Sequence, residues 1–162
     1  MQYNLRLLQK EEYGVLEDFL YDAIFVPDGE EPPSRSVLLE PSIQNYCKDY
    51  GRDGDFCLVA EAKGNLVGAV WARILGGPVK GYGYVDDATP EFAISIHREY
   101  RNKGIGTALL LAMLDLLQSK GYKHASLSVQ KENPAVNLYT RVGFAIVDDK
   151  GEDYLMLYTF AQ

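Results

Sequence analysis

Residues 92–120 (FAISIHREYRNKGIGTALLLAMLDLLQSK) are the segment that most constrains how this chain can fold. Positions 92–97 alternate apolar residues with small or polar ones, which is the pattern of a β-strand. Positions 101–106 are basic and contain two glycines, as a tight turn does. From Gly106 onward, apolar residues recur on more than one helical face and predict a largely buried helix. Gly121 predicts a left-handed cap at its end.

A strand that leads through a glycine-rich turn into a helix predicts an anion-binding site. The first N–H groups of a helix have no partner inside the helix, and the helix dipole places partial positive charge there. Gly104 and Gly106 have no Cβ and let an anion approach the backbone, while Arg101 and Lys103 add positive charge. The spacing matches neither G-x-G-x-x-G nor G-x-x-x-x-G-K-[ST]. We therefore expect the turn to bind a pyrophosphate group.

Length and composition predict a single domain over residues 1–162. A content of 47% hydrophobic and 12% aromatic residues is typical of a globular protein and excludes a disordered one. No apolar run is long enough to cross a bilayer, and the N-terminus lacks the layout of a signal peptide. We therefore expect a cytoplasmic protein with no membrane partner.

Charge and metal-ligand content argue against two further classes of function. The chain has 16 Lys and Arg against 23 Asp and Glu, and its net charge of -7 would repel nucleic acid. An acidic protein instead suits a cationic or amine-bearing substrate. The two cysteines, Cys47 and Cys57, form no C-x-x-C motif, and only two histidines are present, so we expect no metal site.

The order of predicted elements indicates an α/β fold with a mixed, largely antiparallel central sheet and helices on both faces. The crossover between the strands at 92–97 and 124–129 should be parallel and right-handed. Four prolines and an acidic run make 26–41 a long loop, which is a flap, a substrate-facing lid or a tolerated insertion. The predicted strands are 3–8, 56–62, 66–75, 92–97, 124–129, 144–148 and 154–160, and the predicted helices are 10–25, 42–49, 106–120 and 133–142.

Two motifs in this order resemble those of the GNAT family of N-acetyltransferases. The turn R-N-K-G-I-G at 101–106 resembles the family's acetyl-CoA loop, Q/R-x-x-G-x-G/A. The run N-P-A-V-N-L-Y-T-R-V-G-F at 133–144 resembles the family pattern N-x-x-A-x-x-L-Y-x-x-x-G-F. The resemblance extends over about residues 56–145. Two features depart from it. Ala135 stands one position earlier than in some members, and Arg98 stands where many members have a proline.

The resemblance implies an acyl-CoA N-acyltransferase fold whose sheet opens between the strands at 92–97 and 124–129 to admit acetyl-CoA. The backbone of Ile94 and Ile96 would pair with the pantetheine arm. Asn133 would contact the CoA arm, and Tyr139 would lie near its sulfur. The pyrophosphate would be held by the backbone N–H groups of Arg101, Asn102, Lys103, Gly104, Ile105 and Gly106, with Thr107 as a further donor.

The chemistry implied by the resemblance is direct attack of a neutral amine on the thioester carbonyl, which needs no covalent enzyme intermediate. A strand N–H near Ile96 would stabilise the oxyanion, and Tyr139 would protonate the departing thiolate. Glu91, with Asp86 and Asp87 behind it, is the best candidate for the base that deprotonates the substrate ammonium. Each residue also has a purely structural interpretation: Tyr139 as a packing residue, Glu91 as a strand-end charge and Asn133 as a helix cap.

We therefore expect an enzyme that transfers acetyl from acetyl-CoA to a primary amine on a small molecule or peptide. The alternatives are an acyl-CoA-binding sensor of the same fold, a transferase for a longer acyl group or another carrier, and a structural interaction protein. The acidity of the loops at 26–41 and 76–90 favours a cationic acceptor; their acidic residues are Asp28, Glu30, Glu31, Asp86 and Asp87. An edge strand near the C-terminus makes a homodimer possible.

Overall fold

The computed structural model describes residues 2–161, and its centre is one seven-stranded sheet in the order β1-β2-β3-β4-β5-β7-β6. Every neighbouring pair is antiparallel except β4 and β5, which are parallel. The predicted mixed, largely antiparallel sheet is therefore confirmed. The strands are β1 Asn4–Leu7, β2 Phe56–Ala62, β3 Asn65–Arg73, β4 Glu91–Ile96, β5 His124–Gln130, β6 Ala145–Asp149 and β7 Asp153–Thr159.

Helices cover both faces of the sheet, as predicted. They are α1 Leu16–Ala23, α2 Pro41–Gln44, α3 Ile105–Ser119 and α4 Ala135–Val142. The apolar side chains of α3 and α4 pack against one face together with Phe92, Leu127 and Met156. The segments of α1 and α2 pack against the other face, around the buried Trp71. Among residues 2–161, no helix has the length and apolar character needed to span a membrane.

The first third of the chain differs in detail from the prediction. The segment predicted as one helix over 10–25 is a 3₁₀ helix, Lys10–Val15, followed by α1. The predicted loop at 26–41 contains a second 3₁₀ helix, Arg35–Leu39, capped by the Ser34 side chain. We expected Ser42 to cap a helix running to Asp49, but α2 is shorter and begins one residue earlier. Pro41 begins it because the proline ring fixes a helical φ and no N–H is needed there.

The parallel pair β4–β5 is the feature of the sheet that creates the site. The two strands are in register only at Glu91 and Ser126, where the Ser126 N–H donates to the Pro90 carbonyl at 2.9 Å. On its other side β4 pairs with β3 along its whole length, from Gly68↔Ile96 to Arg73↔Glu91. Beyond the single contact with β5 the strands diverge, so the sheet opens into a wedge, as the prediction required.

Candidate active site

A cavity of about 370 Å³ lies at the wedge and is lined from both faces of the sheet. Side chains alternate along β4, so Glu91 and Ala93 face the side of α1 and α2, whereas Phe92 and Ile94 face the side of α3 and α4. The cavity therefore connects the two sides of the sheet through the gap between the strands. Its lining residues are Leu20, Ala23, Ile24, Phe25, Ile43, Tyr46, Tyr82, Glu91, Phe92, Ala93, Ile94, Leu127, Ser128, Val129, Gln130, Asn133, Tyr139 and Asp153.

Glu91 is a buried carboxylate at the closed end of the wedge, with only 2% of its surface exposed. Its Oε2 accepts hydrogen bonds from the Tyr46 hydroxyl at 2.8 Å and from the Gly83 N–H at 3.0 Å. Its Oε1 is buried and has no hydrogen-bond partner within residues 2–161. An unpartnered buried carboxylate oxygen is costly, and such groups are found where a ligand or a proton is to be bound.

The two glycines of the segment 81–83 make room for the Glu91 carboxyl group. A Cβ on Gly81 would lie 1.6 Å from Glu91 Oε1, and one on Gly83 would lie 2.7 Å from Oε2. Neither distance is physically possible without moving the carboxylate or the backbone. Between them, the Tyr82 N–H donates to the Tyr46 hydroxyl at 2.8 Å. The segment therefore closes over the carboxylate and fixes its orientation.

Burial raises the pKa of Glu91 to about 7, against the opposing effects of hydrogen bonds from Tyr46 and Gly83 and of the positive charge of Lys150. A carboxyl group with a pKa near the working pH is present in both protonation states. It can therefore accept a proton from a substrate and return it to solvent in each turnover. This is the property expected of a general base.

Tyr139 lies on α4, lines the cavity from the face opposite Glu91 and is 7% exposed. Its ring contacts Phe92 and Phe144 edge-on, at centroid distances of 6.4 and 6.0 Å. Its hydroxyl forms no hydrogen bond with residues 2–161. Burial raises the pKa of Tyr139 above the ordinary phenol value, so the group stays protonated at physiological pH. The aromatic contacts account for the position of the ring, and the hydroxyl remains available as a proton donor.

The turn between β4 and α3 presents a run of free backbone N–H groups. Gly104 adopts φ +84° and Asn102 adopts φ +61°, and Gly104 precedes the first residue of α3. The N–H groups of residues 102–107 donate to no acceptor within residues 2–161. The first hydrogen bond of the helix runs from the Ala108 N–H to Gly104 O. The Arg101 N–H is different, because it donates to Arg98 O at 3.2 Å. The amides available to an anion thus begin at residue 102.

Arg101 and Gly106, two predicted residues of this turn, have surroundings that the sequence did not suggest. The Nε of Arg101 donates to the Ile96 carbonyl at 2.9 Å, so the guanidinium ties the turn back to the end of β4. Gly106 has open space around it, since an added Cβ would be 3.7 Å from the nearest atom, on Ile96. Packing within the protein therefore does not require a glycine at this position, in keeping with the family pattern, which allows alanine there.

The backbone of β4 offers unpaired groups to the wedge. The His97 N–H donates to Val67 O on β3, whereas Pro90 O accepts from the Ser126 N–H on β5. Because backbone groups alternate between the two edges of a strand, those of Ile94 and Ile96 point to the β5 side, where no strand pairs with them. The Ile96 carbonyl is taken by Arg101, and the other groups remain available to an extended ligand.

Asn133 has a structural role that the sequence had left open. Its Oδ1 accepts a hydrogen bond from the Ala135 N–H at 2.9 Å, which caps the start of α4. Asn133 also lines the cavity. The amide nitrogen of the side chain has no partner within residues 2–161 and remains free for a ligand.

The structure brings Glu91, Ile94, Asn133 and Tyr139 together around one cavity, while residues 101–107 lie outside it, at the end of β4. Asp86 and Asp87, the second-choice candidates for the base, are exposed and are not among the residues that line the cavity. Sequence reasoning missed Tyr46, Tyr82 and Asp153. The glycine-flanked tyrosine in G-Y-G at 81–83 was the one signal that pointed to this neighbourhood.

These features define an acyl-CoA N-acyltransferase fold: an open parallel strand pair, a glycine turn with free amides and a cavity through the sheet. The chain belongs to the GNAT acetyltransferase family, because residues 18–144 match the Acetyltransferase (GNAT) family. The predicted family is thereby confirmed.

Individual relatives agree with this assignment. The chain is 32% identical over 118 residues to mycothiol acetyltransferase of Arthrobacter sp. strain FB24, an alignment covering 70% of this chain and 34% of that protein. It spans about a quarter to a third of the length of such curated relatives.

Solved structures show the same fold. PaiA N-acetyltransferase from Thermoplasma acidophilum, in complex with coenzyme A, superposes with a TM-score of 0.67 at 21% identity, covering 99% of this chain and 100% of that one. The ribosomal-protein-S18-alanine N-acetyltransferase from Escherichia coli gives a TM-score of 0.68 at 14% identity, covering 99% and 96%.

Proposed function

We propose that this chain transfers the acetyl group of acetyl-CoA to a primary amine by direct attack. The observation that carries the proposal is the cavity through the wedge. It is lined by a carboxylate with a pKa near 7 on one face of the sheet and by a phenol without a hydrogen-bond partner among residues 2–161 on the other. An amine and a thioester that enter from opposite faces would meet between these two groups.

Acetyl-CoA would be held by groups that have no other partner. The free N–H groups of 102–107 suit the pyrophosphate, and Lys103 adds positive charge. The unpaired backbone of Ile94 and Ile96 suits the amide groups of the pantetheine arm, which would extend along β4 as an additional strand does. The Asn133 side-chain amide lies along the same path. These residues fit the donor, and they make no use of a metal.

In the proposed reaction a C–N bond forms as the C–S bond of the thioester breaks. Glu91 accepts a proton from the substrate ammonium and thereby supplies the neutral amine that attacks the carbonyl carbon. A β4 N–H stabilises the negative charge that develops on the carbonyl oxygen, and Ile96 N–H is the candidate. Tyr139 gives its proton to the departing thiolate.

A sensor that only binds acyl-CoA is the principal alternative. Such a module would need the free amides and the open edge of β4. It would have no need for Glu91, whose burial is unfavourable when the carboxylate is charged. The sensor interpretation therefore leaves the position of Glu91 unexplained, and the transferase interpretation accounts for it.

The test is a calorimetric titration with acetyl-CoA followed by a free-thiol assay with a panel of amines. Tyr139→Phe should lower kcat by about 10²-fold with little change in the dissociation constant for acetyl-CoA, because only the proton donor is lost. Tyr122→Phe, which removes a hydroxyl that does not line the cavity, is the matched control. An unaltered kcat in Tyr139→Phe would remove this residue as the acid.

The titration also separates the alternatives. Acetyl-CoA binding without thiol release for any amine would favour the sensor, and preference for a longer acyl-CoA would favour that donor. Absence of binding would refute the assignment of 102–107.

Two broader parts of the proposal concern location and assembly. We propose that the protein acts in the cytoplasm. A homodimer would use the edge strand β6, which pairs with β7 alone among the strands of residues 2–161 and is exposed along its length. A light-scattering mass measurement would test the dimer, and a monomeric mass at working concentration would refute it.

A further inference from the structure

Resting on the proposed function, we propose that the acceptor is a primary amine attached to an apolar alkyl or aryl body, and that polyamines are poor acceptors. The inference concerns the half of the cavity on the side of α1 and α2, where Glu91 lies. It narrows the cationic acceptor that the acidic loops had suggested to one whose reacting ammonium is its only positive charge.

The wall facing Glu91 is apolar. This half of the cavity is lined by Leu20 and Ala23 on α1, by Ile24 and Phe25, which follow α1, and by Ile43 on α2. None of these side chains carries a hydrogen-bonding group. An acceptor whose body lies against them is stabilised by burial of apolar surface, and a charged body would lose its hydration without compensation.

The hydroxyl that contacts Glu91 in this half is already committed. Ser128, which also lines the cavity, is on β5 and is not part of the wall formed by α1 and α2. Tyr46 is 8% exposed, and its hydroxyl donates to Glu91 and accepts from the Tyr82 N–H. Its O–H therefore cannot donate to a polar group of the acceptor without breaking the contact that orients Glu91. Tyr82 stacks against Tyr46 with ring centroids 6.5 Å apart and extends the aromatic wall to the surface. Both rings suit an alkyl or aryl body.

The acidic residues that had favoured a cationic acceptor do not line the cavity. Asp28, Glu30 and Glu31 are exposed in the segment after α1, and Asp86 and Asp87 are exposed in the loop before β4. Solvent screens charges at such positions, so they do little for a ligand bound inside. The carboxylates among the lining residues that the structure describes are Glu91 and Asp153.

Asp153 is the group that a polyamine would need, and it lies far from Glu91. It opposes Gln130 on β5, four residues beyond Ser126, which is in register with Glu91. At about 3.3 Å per residue the two positions are about 13 Å apart along the strand. Asp153 Oδ1 is buried and has no partner within residues 2–161. A long diamine could reach it, so Asp153 provides a direct test of the rival acceptor class.

The experiment compares kcat/KM at saturating acetyl-CoA for propylamine, butylamine, hexylamine, 2-phenylethylamine, 1,3-diaminopropane and spermidine. Each added methylene should raise kcat/KM about fourfold, so hexylamine should exceed propylamine roughly 60-fold, because the apolar wall accepts each carbon. 1,3-Diaminopropane and spermidine, which carry more than one positive charge, should both fall below hexylamine. A flat alkylamine series, or spermidine above hexylamine, would overturn the inference.

A pair of variants gives the inference a readout that loss of folding cannot imitate. Ile24→Glu places a carboxylate in the apolar wall and should invert the order, lowering kcat/KM for hexylamine and raising it for spermidine. Leu39→Glu, at a 72% exposed position outside the cavity, adds the same charge and should leave the order unchanged. Asp153→Asn should keep hexylamine above spermidine in kcat/KM. If it instead abolishes a preferred spermidine activity, the polyamine class is the correct one.

Failure of the inference and failure of the proposed function give different results. If no amine releases thiol from acetyl-CoA, the transferase proposal is refuted. Calorimetric binding of hexylamine and spermidine to the CoA-saturated protein still ranks the two ligand classes in that case. Tighter binding of spermidine would overturn the inference, and tighter binding of hexylamine would support it independently of turnover.

Discussion

Replacing Glu91 by glutamine should make the protein less active but more stable at alkaline pH. Burial raises the pKa of this carboxyl group from 4.5 to about 7. Between these two values the folded protein binds more protons at this site than the unfolded chain, so stability falls as pH rises. With about 1.4 kcal/mol for a pKa difference of one, the full cost of ionising Glu91 is about 3 kcal/mol.

Glutamine cannot ionise, so Glu91→Gln removes this pH-dependent cost. The unfolding free energy of Glu91→Gln minus that of the unsubstituted protein is the quantity to compare. This difference should increase by about 2.5 kcal/mol between pH 5 and pH 8. Any fixed cost of the new amide group, which lies where Oε1 has no partner, is the same at both pH values and cancels from this difference. Over the same range kcat should be lower by about 10²-fold or more, as expected when a general base is lost.

The assay is urea unfolding of both proteins at pH 5 and pH 8, with kcat measured on the same samples. Glu31→Gln, which removes an exposed carboxylate outside the cavity, is the control and should behave like the unsubstituted protein at both pH values. A stability difference for Glu91→Gln that does not change between the two pH values would refute the argument that burial controls the Glu91 pKa. Retention of full kcat would refute its role as base.

Two further predictions concern the CoA loop and the base. Gly106→Val should weaken acetyl-CoA binding at least tenfold and should unfold at an unchanged urea concentration, because the added side chain would occupy space that the ligand needs. Gly14→Val, at another glycine with room for a side chain, is the control and should bind acetyl-CoA normally. Equal affinities of the two variants would contradict the loop assignment. Lys150→Met should move the ascending limb of the kcat–pH profile to higher pH, because the Lys150 charge lowers the pKa of Glu91; a shift to lower pH would contradict this.

The part of the site built from local sequence could be predicted. The strand at β4, the glycine turn and α3 are consecutive, and each has its own signature in alternation, turn chemistry and helical periodicity. Gly121 at φ +90° ends α3 as its position implied. The order of elements then led to a mixed sheet in which β4 and β5 are parallel, because a crossover connects them. The wedge between these strands was implied by the resemblance to the GNAT family.

The part of the site built by long-range contacts could not be predicted. Tyr46 and Glu91 are 45 positions apart in the chain, and their hydrogen bond depends on how the segment after α2 packs against the sheet. Asp153 comes to the cavity only through the pairing of β7 with β5. The acidic loops illustrate the opposite error, since their charge is evident in the sequence but their side chains are turned to solvent.

The glycines around Glu91 determine which positions can evolve a new acceptor specificity. Any side chain at Gly81 or Gly83 would collide with the carboxylate, so substitutions there remove activity before they can change selectivity. Tyr82, between them, holds its place through its backbone N–H, and its side chain is 45% exposed. Libraries that vary positions 24, 25, 43 and 82 while keeping both glycines should therefore contain most of the accessible changes in acceptor choice, and natural divergence of this site is subject to the same restriction.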